Sequence, residues 1–115
     1  MIKVVGLLTR KAGLSHEQFD THWHDIHGPL AHAVPGIRRY VQCHITGTRT
    51  RPDIPETDVE IDGIAELWYD DLASFQRAAA TPEMKALTDD GALFIGQIKT
   101  FVVQEQEIIP RRDPR

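Results

Sequence analysis

Four of the six histidines of this chain lie within twelve residues, in the stretch THWHDIHGPLAH at positions 21–32. Histidine binds divalent metals and titrates near neutral pH, so this stretch suggests either a metal site or acid–base chemistry. On a helix, His22 and His24 would point about 200 degrees apart. Helical metal ligands need a spacing of three or four positions, which Asp20, His24 and His27 satisfy. No H-E-x-x-H motif or cysteine pair accompanies them, so we predict no native metal.

His27 is the histidine best placed for acid–base chemistry. The capping-box pattern at Ser15 and Gln18 predicts a helix that begins at about Ser15. An apolar stripe along this helix consists of Phe19, Trp23, Ile26 and Leu30. His27 lies at the edge of the stripe, which predicts a half-buried imidazole able to act as general base or acid. The alternative is a boundary histidine that bonds a backbone carbonyl or supports the Gly28-Pro29 turn.

A second polar group follows at two-residue spacing. Tyr40, Gln42 and His44 alternate with apolar residues, and a period of two is typical of a strand. If this side of the strand faces the helices, Tyr40 and His44 would line one pocket with His27, as a phenolic donor and a second titrating group. If it faces a partner sheet, they would be interface residues. Both interpretations remain open at this point.

Two tryptophans and one cysteine complete the candidates. Trp23 and Trp68 are candidates for an apolar wall against a flat ligand, although buried tryptophans are more often core residues. Cys43 lies on the side of its predicted strand that the apolar residues occupy, which indicates a packed thiol and not a nucleophile. As the only cysteine, it cannot form an internal disulfide.

The pattern of apolar residues predicts a β-α-β-β-α-β order. We expect the first helix from about Ser15, distorted or divided by Gly28-Pro29 because proline removes a backbone donor. We expect strands over 2–9, 37–46, 63–69 and 97–109, helices over 70–80 and 82–88, and a long loop over 47–62. This order matches the ferredoxin-like split βαβ, an α+β fold with a four-stranded antiparallel sheet and both helices on one face. The prediction is one domain over 1–109 and a frayed tail over 110–115.

The second face of such a sheet is also apolar here. Val5 and Leu7, or their neighbours, would lie there beside Phe101 and Val103. A chain of 115 residues has a modest core, and covering this face would add to it. We therefore predict a symmetric homodimer with the sheets packed face to face.

Composition excludes two classes of partner. The formal net charge is −4 and the basic residues form only short patches, so the broad basic face that nucleic acid requires is missing. No apolar run approaches the ~18 residues of a membrane span, and the first residues do not have the pattern of a signal peptide. We expect a cytoplasmic protein that acts on a small molecule.

Four segments resemble the EthD family of the dimeric α/β barrel superfamily. They are SHEQFDTHWHDIHGPLA, VPGIRRYVQ, IAELWYDD and DDGALFIGQIKTFVVQEQEII, and the W-x-x-x-H-G-P-L core at 23–30 is the most specific part. The resemblance implies a dimeric ferredoxin-like barrel with a pocket between helix and sheet, and cofactor-free proton chemistry on small cyclic or aromatic carbonyl compounds. His27 and Tyr40 stand where isomerase-like members have a histidine and a tyrosine proposed for catalysis. Where those methylmuconolactone isomerases have a cysteine, this chain has Leu67, which favours the general EthD group.

We therefore predict a cofactor-independent lyase or isomerase that acts on a small aromatic, polyketide-like or lactone carbonyl compound. His27 would move a proton next to the carbonyl, and Tyr40, with or without His44, would stabilise the oxyanion. The alternative is a non-catalytic dimeric accessory or ligand-binding protein, favoured if the pocket lacks a pair of titrating groups within hydrogen-bond reach. A haem- or oxygen-using oxidase is a weaker third hypothesis.

Overall fold

The computed structural model describes residues 1–114 and has the predicted element order. Its elements are β1 (Ile2–Arg10), α1 (His16–His22), a π-helical segment (Trp23–His27), α2 (Gly28–Leu30), a 3₁₀ turn (Ala31–Ala33), β2 (Arg39–His44), β3 (Gly63–Tyr69), α3 (Leu72–Ala79), α4 (Pro82–Phe94) and β4 (Ile95–Val103). The strands form one antiparallel sheet in the order β2-β3-β1-β4. The predicted α+β, ferredoxin-like fold is confirmed.

The first helix begins and is distorted where the sequence predicts. The Ser15 hydroxyl accepts from the Gln18 main-chain N–H at 3.1 Å, and the Gln18 side chain accepts from the Ser15 N–H at 2.8 Å, which completes the capping box. Before Pro29, the Gly28 N–H bonds the carbonyl of Trp23, five residues back. Pro29 has no N–H to donate, and the wider π-helical turn before it accommodates this loss. The chain therefore stays helical from α1 into α2.

The register of the sheet decides which side of β2 faces the helices. Tyr40 is opposite Leu67 of β3, and Leu67 is opposite Val4 of β1. Val4 is buried in a core cluster with Ala31 and Leu87, which come from the helical layer. Since residues paired across a sheet share a face, Tyr40, Gln42 and His44 all project toward the helices. This side of β2 therefore faces the helices and not a partner sheet.

Two predicted boundaries are wrong. Helix α4 extends six residues beyond the predicted end at Thr88, because Leu87, Gly91 and Phe94 form a buried stripe that continues through the glycine. The last strand was predicted to reach residue 109 but ends at Val103. Val103 pairs with Lys3, close to the start of β1, so the chain beyond it has no strand to pair with.

The opposite face of the sheet carries the predicted apolar residues. Val5 is paired with Phe101 and Lys3 with Val103, and all have the parity that points away from the helices. Phe101 keeps 44% of its surface exposed. We call the surface formed by Val5, Leu7, Phe101 and Val103 the open face.

Within residues 1–114, no helix is long and apolar enough to cross a membrane.

Candidate active site

A cavity of about 500 Å³ lies between the sheet and the helical layer. Its floor comes from the inward residues of β1, β3 and β4, and its roof from α4 and the π-helical segment. Most of its lining is aliphatic or aromatic. The lining side chains with an imidazole or a hydroxyl are His27, Tyr40, Tyr69, Thr88 and Thr100. An apolar cleft with a few polar groups is the usual form of a small-molecule site.

The π-helical segment places His27 in the cavity wall. The residue is 9% exposed, and its Nδ1 lies 2.9 Å from Oδ2 of Asp90 on α4. Within the described residues, Nε2 has no hydrogen-bond partner, and no side-chain polar atom there is both occluded and unpartnered. Nε2 therefore keeps some accessible surface, and His27 is one of the residues that line the cavity. The His27 ring packs beside Gly91, where a Cβ would make an ordinary contact of 3.6 Å with Cε1 of His27.

Burial gives His27 the protonation state of a base. Desolvation lowers the pKa of His27 from its ordinary value, and the hydrogen bond that His27 donates to Asp90 only partly opposes this effect. The imidazole is therefore neutral at neutral pH. Since a carboxylate only accepts, Nδ1–H donates to Asp90 and Nε2 carries the free lone pair. This orientation is the one a general base requires.

Asp90 holds more than one ring. Both of its carboxylate oxygens lie 3.1 Å from Nε2 of His22, whose imidazole stacks on Phe94 at 4.5 Å between ring centroids. The His27 ring meets Phe94 edge-on at 5.1 Å. His22, Phe94 and Asp90 therefore restrict how the His27 ring can turn, which preorganises Nε2 toward the cavity.

Tyr40 supplies a phenol in the cavity lining. Its hydroxyl oxygen lies 3.1 Å from Nε1 of Trp23 and 3.0 Å from Nε2 of Gln42, and both of these atoms donate. Burial raises the pKa of Tyr40, although the two N–H donors act in the opposite direction. The phenol is therefore protonated at neutral pH and available as a hydrogen-bond donor. The structure thus brings His27 and Tyr40 to one cavity.

His44 does not line this cavity. It faces the helices as Tyr40 does, but its Nδ1 lies 2.9 Å from Asp20 and its Nε2 lies 2.8 Å from Oε1 of Gln42. Its ring packs on Trp23 at 4.5 Å between centroids. The predicted role of His44 as a titrating group in the pocket therefore needs correction, because Trp23 and Gln42 separate it from the cavity.

The two tryptophans do not form one wall. Trp23 is fully buried and lines the cavity, with its ring against Gly63, where a Cβ would come within 2.7 Å of Cη2. Trp68 has the opposite parity on β3 and lies on the other side of the sheet. There its Nε1 donates to Glu105 at 2.7 Å, and the Lys3 ammonium lies 4.7 Å from its ring centroid. The prediction that Trp68 shares a ligand wall with Trp23 is wrong for this cavity.

The three helical residues with metal-ligand spacing, Asp20, His24 and His27, have separate partners. Asp20 contacts His16 and His44, His24 contacts its neighbour Asp25, and His27 contacts Asp90. Among residues 1–114, no group of three histidine, cysteine or acidic side chains is arranged to hold a metal ion. The geometry of these side chains is that of paired hydrogen bonds.

Sequence analysis missed two residues of the site. Asp90 lay beyond the predicted end of α4, although its position three residues after Leu87 would have placed it near the inner side of a longer helix. Gln42 shares the strand period of Tyr40 and His44, but its residue type alone predicts no role. The two-residue period of the strand places all three side chains on one face, and this period was the available indication that Gln42 belongs to the site.

Comparisons with known proteins agree with this architecture. The EthD domain family matches residues 11–98. A 4-carboxymethyl-4-methylbutenolide mutase from Pseudomonas reinekei is 33% identical over 106 residues, covering 91% of this chain and 98% of that protein. An ethyl tert-butyl ether D (EthD) family protein from Bacillus halodurans superposes with a TM-score of 0.73 at 28% identity, covering 92% of this chain and 99% of that one. SnoaB, a cofactor-independent oxygenase from Streptomyces nogalater, superposes with a TM-score of 0.63 at 14% identity, covering 96% and 97%. This last likeness concerns the fold alone.

Proposed function

This chain belongs to the EthD family, and from that premise we propose that its cavity is the active site of a cofactor-independent isomerase or lyase. The substrate would be a small aromatic, polyketide-like or lactone carbonyl compound. One observation carries the proposal: a neutral imidazole, fixed through Nδ1 by Asp90, presents a free Nε2 to an apolar cavity. The butenolide in the name of the mutase relative supports a lactone as one such substrate.

The reaction begins with proton removal from the carbon next to the carbonyl. The C–H bond breaks, the proton moves to Nε2 of His27, and the electron pair moves to the carbonyl oxygen as an enolate. Asp90 stabilises the imidazolium that forms. The Tyr40 hydroxyl donates to the enolate oxygen, where an apolar surrounding strengthens the hydrogen bond.

The second step decides between isomerase and lyase. In an isomerase, the His27 imidazolium returns its proton to another carbon of the enolate. In a lyase, the electron pair expels a leaving group, which takes the proton. No cysteine or serine is among the described lining residues, and Leu67 occupies the position at which the isomerase resemblance predicts a cysteine. The lining therefore favours proton transfer over a covalent intermediate on sulfur or serine oxygen.

The lining also limits the charge of the substrate. No lysine or arginine is among the described lining residues. Burying an unpaired carboxylate among apolar side chains is costly. We therefore propose a substrate that is uncharged where it lies in the cavity, with any carboxylate at the opening.

A proton-shift assay on neutral probes tests the proposal. Nuclear magnetic resonance would follow the conversion of α-angelica lactone to β-angelica lactone, and the exchange of 1-tetralone protons in D₂O. We expect His27→Gln to lower the rates by about 10²- to 10⁴-fold, and His32→Gln, a change at an exposed histidine of the 3₁₀ turn, to leave them unchanged. Wild-type rates equal to those of His27→Gln would contradict the proposal. Binding of 1-tetralone without turnover would then favour the accessory protein, an alternative that the 2.9 Å His27–Asp90 pair argues against.

We also propose that the protein is a homodimer that covers the open face. This surface is apolar, lies opposite the helical layer and carries the partly exposed Phe101. Light scattering coupled to size exclusion should give twice the mass of the chain. Phe101→Lys should shift the mass toward the monomer, and Val102→Lys, at an exposed neighbour on the other side of β4, should not. A monomeric wild type would contradict the proposal.

A further inference from the structure

The carboxamide of Gln42 links three groups behind the cavity wall. Its Nε2 lies 2.8 Å from the main-chain oxygen of Trp23 and 3.0 Å from the Tyr40 hydroxyl, and its Oε1 lies 2.8 Å from Nε2 of His44. The approach depends on Gly28, where a Cβ would be 3.2 Å from Nε2 of Gln42. All the hydrogen-bonding atoms of this amide are therefore engaged.

Two neighbours fix which way the amide points. A main-chain carbonyl can only accept, so the NH₂ group must face the Trp23 oxygen. A flipped amide would place two oxygens 2.8 Å apart. With the NH₂ group in place, Oε1 lies 2.8 Å from Nε2 of His44, and Nδ1 of the same ring lies 2.9 Å from Asp20.

This orientation determines the role of the Tyr40 hydroxyl. A phenol has two acceptor lone pairs and one donor hydrogen. Gln42 Nε2 and the indole Nε1 of Trp23 both donate, so they occupy the lone pairs. The hydroxyl hydrogen has no acceptor among the described residues, and Tyr40 lines the cavity.

We propose that Gln42, held by the Trp23 carbonyl and by His44, is a positioning residue that fixes Tyr40 as a hydrogen-bond donor into the cavity. The site would then select ligands that present an acceptor oxygen, such as a carbonyl, at this point. The inference deepens the proposed function and rests on it for the identity of the cavity as a substrate site. Titration and ligand binding test this inference without turnover, so the inference and the proposed function can fail separately.

The sign of a pKa change tests the direction of the Gln42 hydrogen bond. The chain has two tyrosines, so Tyr69→Phe leaves Tyr40 alone to carry a 3,5-difluorotyrosine label for ¹⁹F nuclear magnetic resonance titration. If Gln42 donates, Gln42→Met removes a stabiliser of the phenolate, and the pKa of Tyr40 rises. If Gln42 accepted from the hydroxyl, the same change would lower that pKa, and the proposal would be overturned.

The part played by His44 is tested by additivity. We expect His44→Phe to raise the pKa of Tyr40 when Gln42 is present. The same change should have no further effect in the Gln42→Met variant, because His44 acts through the amide. His32→Phe is the matched control and should change nothing. Equal effects of His44→Phe with and without Gln42 would mean that His44 acts on Tyr40 directly or through general packing, which overturns its assigned role.

Ligand selectivity provides the second readout. Gln42→Glu replaces the donor with a carboxylate that competes for the hydroxyl hydrogen. We expect this change to weaken 1-tetralone binding by about three- to tenfold, the loss of one hydrogen bond, and to leave naphthalene, which has no oxygen, unaffected. Tyr40→Phe should show the same pattern. Equal weakening of both ligands, or of neither, would overturn the proposal.

Discussion

Two histidine–aspartate pairs in this molecule have nearly the same geometry and different chemical prospects. His16 Nδ1 lies 2.8 Å from Asp62, and His27 Nδ1 lies 2.9 Å from Asp90. The two pairs differ at the second ring nitrogen. His16 Nε2 lies 3.0 Å from the Ile45 carbonyl and 3.1 Å from Asp20, whereas His27 Nε2 faces the cavity without a partner among the described residues. A His–Asp pair therefore indicates a base only when the other nitrogen is free.

The surroundings of the two pairs move their pKa values in opposite directions. The hydrogen bond that His16 donates to Asp62 raises the pKa of His16, against a smaller effect of burial. Burial lowers the pKa of His27, against the effect of Asp90. His16 is thus suited to stay charged and tie the loop before β3 to α1 and β1. His27 is suited to stay neutral and accept a proton.

The largest expected difference concerns stability. Asp62 is 3% exposed and accepts from the main-chain N–H of Arg10 at 2.7 Å and from its guanidinium and His16 at 2.8 Å. Asp62→Ala leaves these donors unpaired, so we expect the free energy of unfolding to fall by about 3 kcal/mol. Asp90→Ala should cost about 1 kcal/mol, because His27, one of its two partners, lines the cavity and can bind water there. Urea unfolding measures both values.

The same two variants should separate in the proton-shift assay. Asp90→Ala should slow the conversion of α-angelica lactone, since His27 loses the group that orients it and stabilises its imidazolium. Asp62→Ala should keep the wild-type rate at a temperature at which it is folded. Equal losses of stability, or a slower reaction in Asp62→Ala than in Asp90→Ala, would erase the distinction between the two pairs.

Sequence periodicity predicted the residues whose faces are set by local geometry. The predicted stripe of the first helix located His27 at its edge, although only Phe19 and Trp23 of that stripe are buried and Ile26 and Leu30 are exposed. The two-residue period of β2 grouped Tyr40 with Gln42. Parity gives the face of a strand but not the position along it. His44 is paired with Gly63, at the end of β3 that the Trp23 ring covers, so it lies outside the cavity although its face was right.

The remaining errors come from long-range packing. The strand GIAELWY is largely apolar at both parities, so alternation did not reveal that Leu67 faces the cavity and Trp68 the opposite side. Asp90 was missed because α4 continues through Gly91 to Phe94, and only the folded structure shows its contact with His27. Neither contact can be inferred from spacing along the chain alone.

A smaller and more specific effect is expected in the titration of the two histidines. Nuclear magnetic resonance of the ring carbons should place the pKa of His16 above the ordinary value of about 6.5 and that of His27 below it. Asp62→Asn should lower the pKa of His16 by removing its main stabiliser. Asp90→Asn should lower the pKa of His27 further, because the carboxylate that opposes desolvation is lost. Titration of both residues at the same pH would contradict the comparison.

These shifts imply opposite contributions to stability as the pH changes. The folded state binds a proton at His16 more tightly than the unfolded chain, so the His16 contribution is complete below about pH 6.5 and is lost as the pH rises through the folded pKa. His27 binds its proton less tightly when folded, so its contribution is present above about pH 6.5 and is lost as the pH falls through the folded pKa. Unfolding curves of His16→Gln and His27→Gln across this range should therefore diverge from the wild type at opposite ends. If both variants diverged at the same end, the two pairs would share one electrostatic environment, and only the free nitrogen of His27 would still distinguish them.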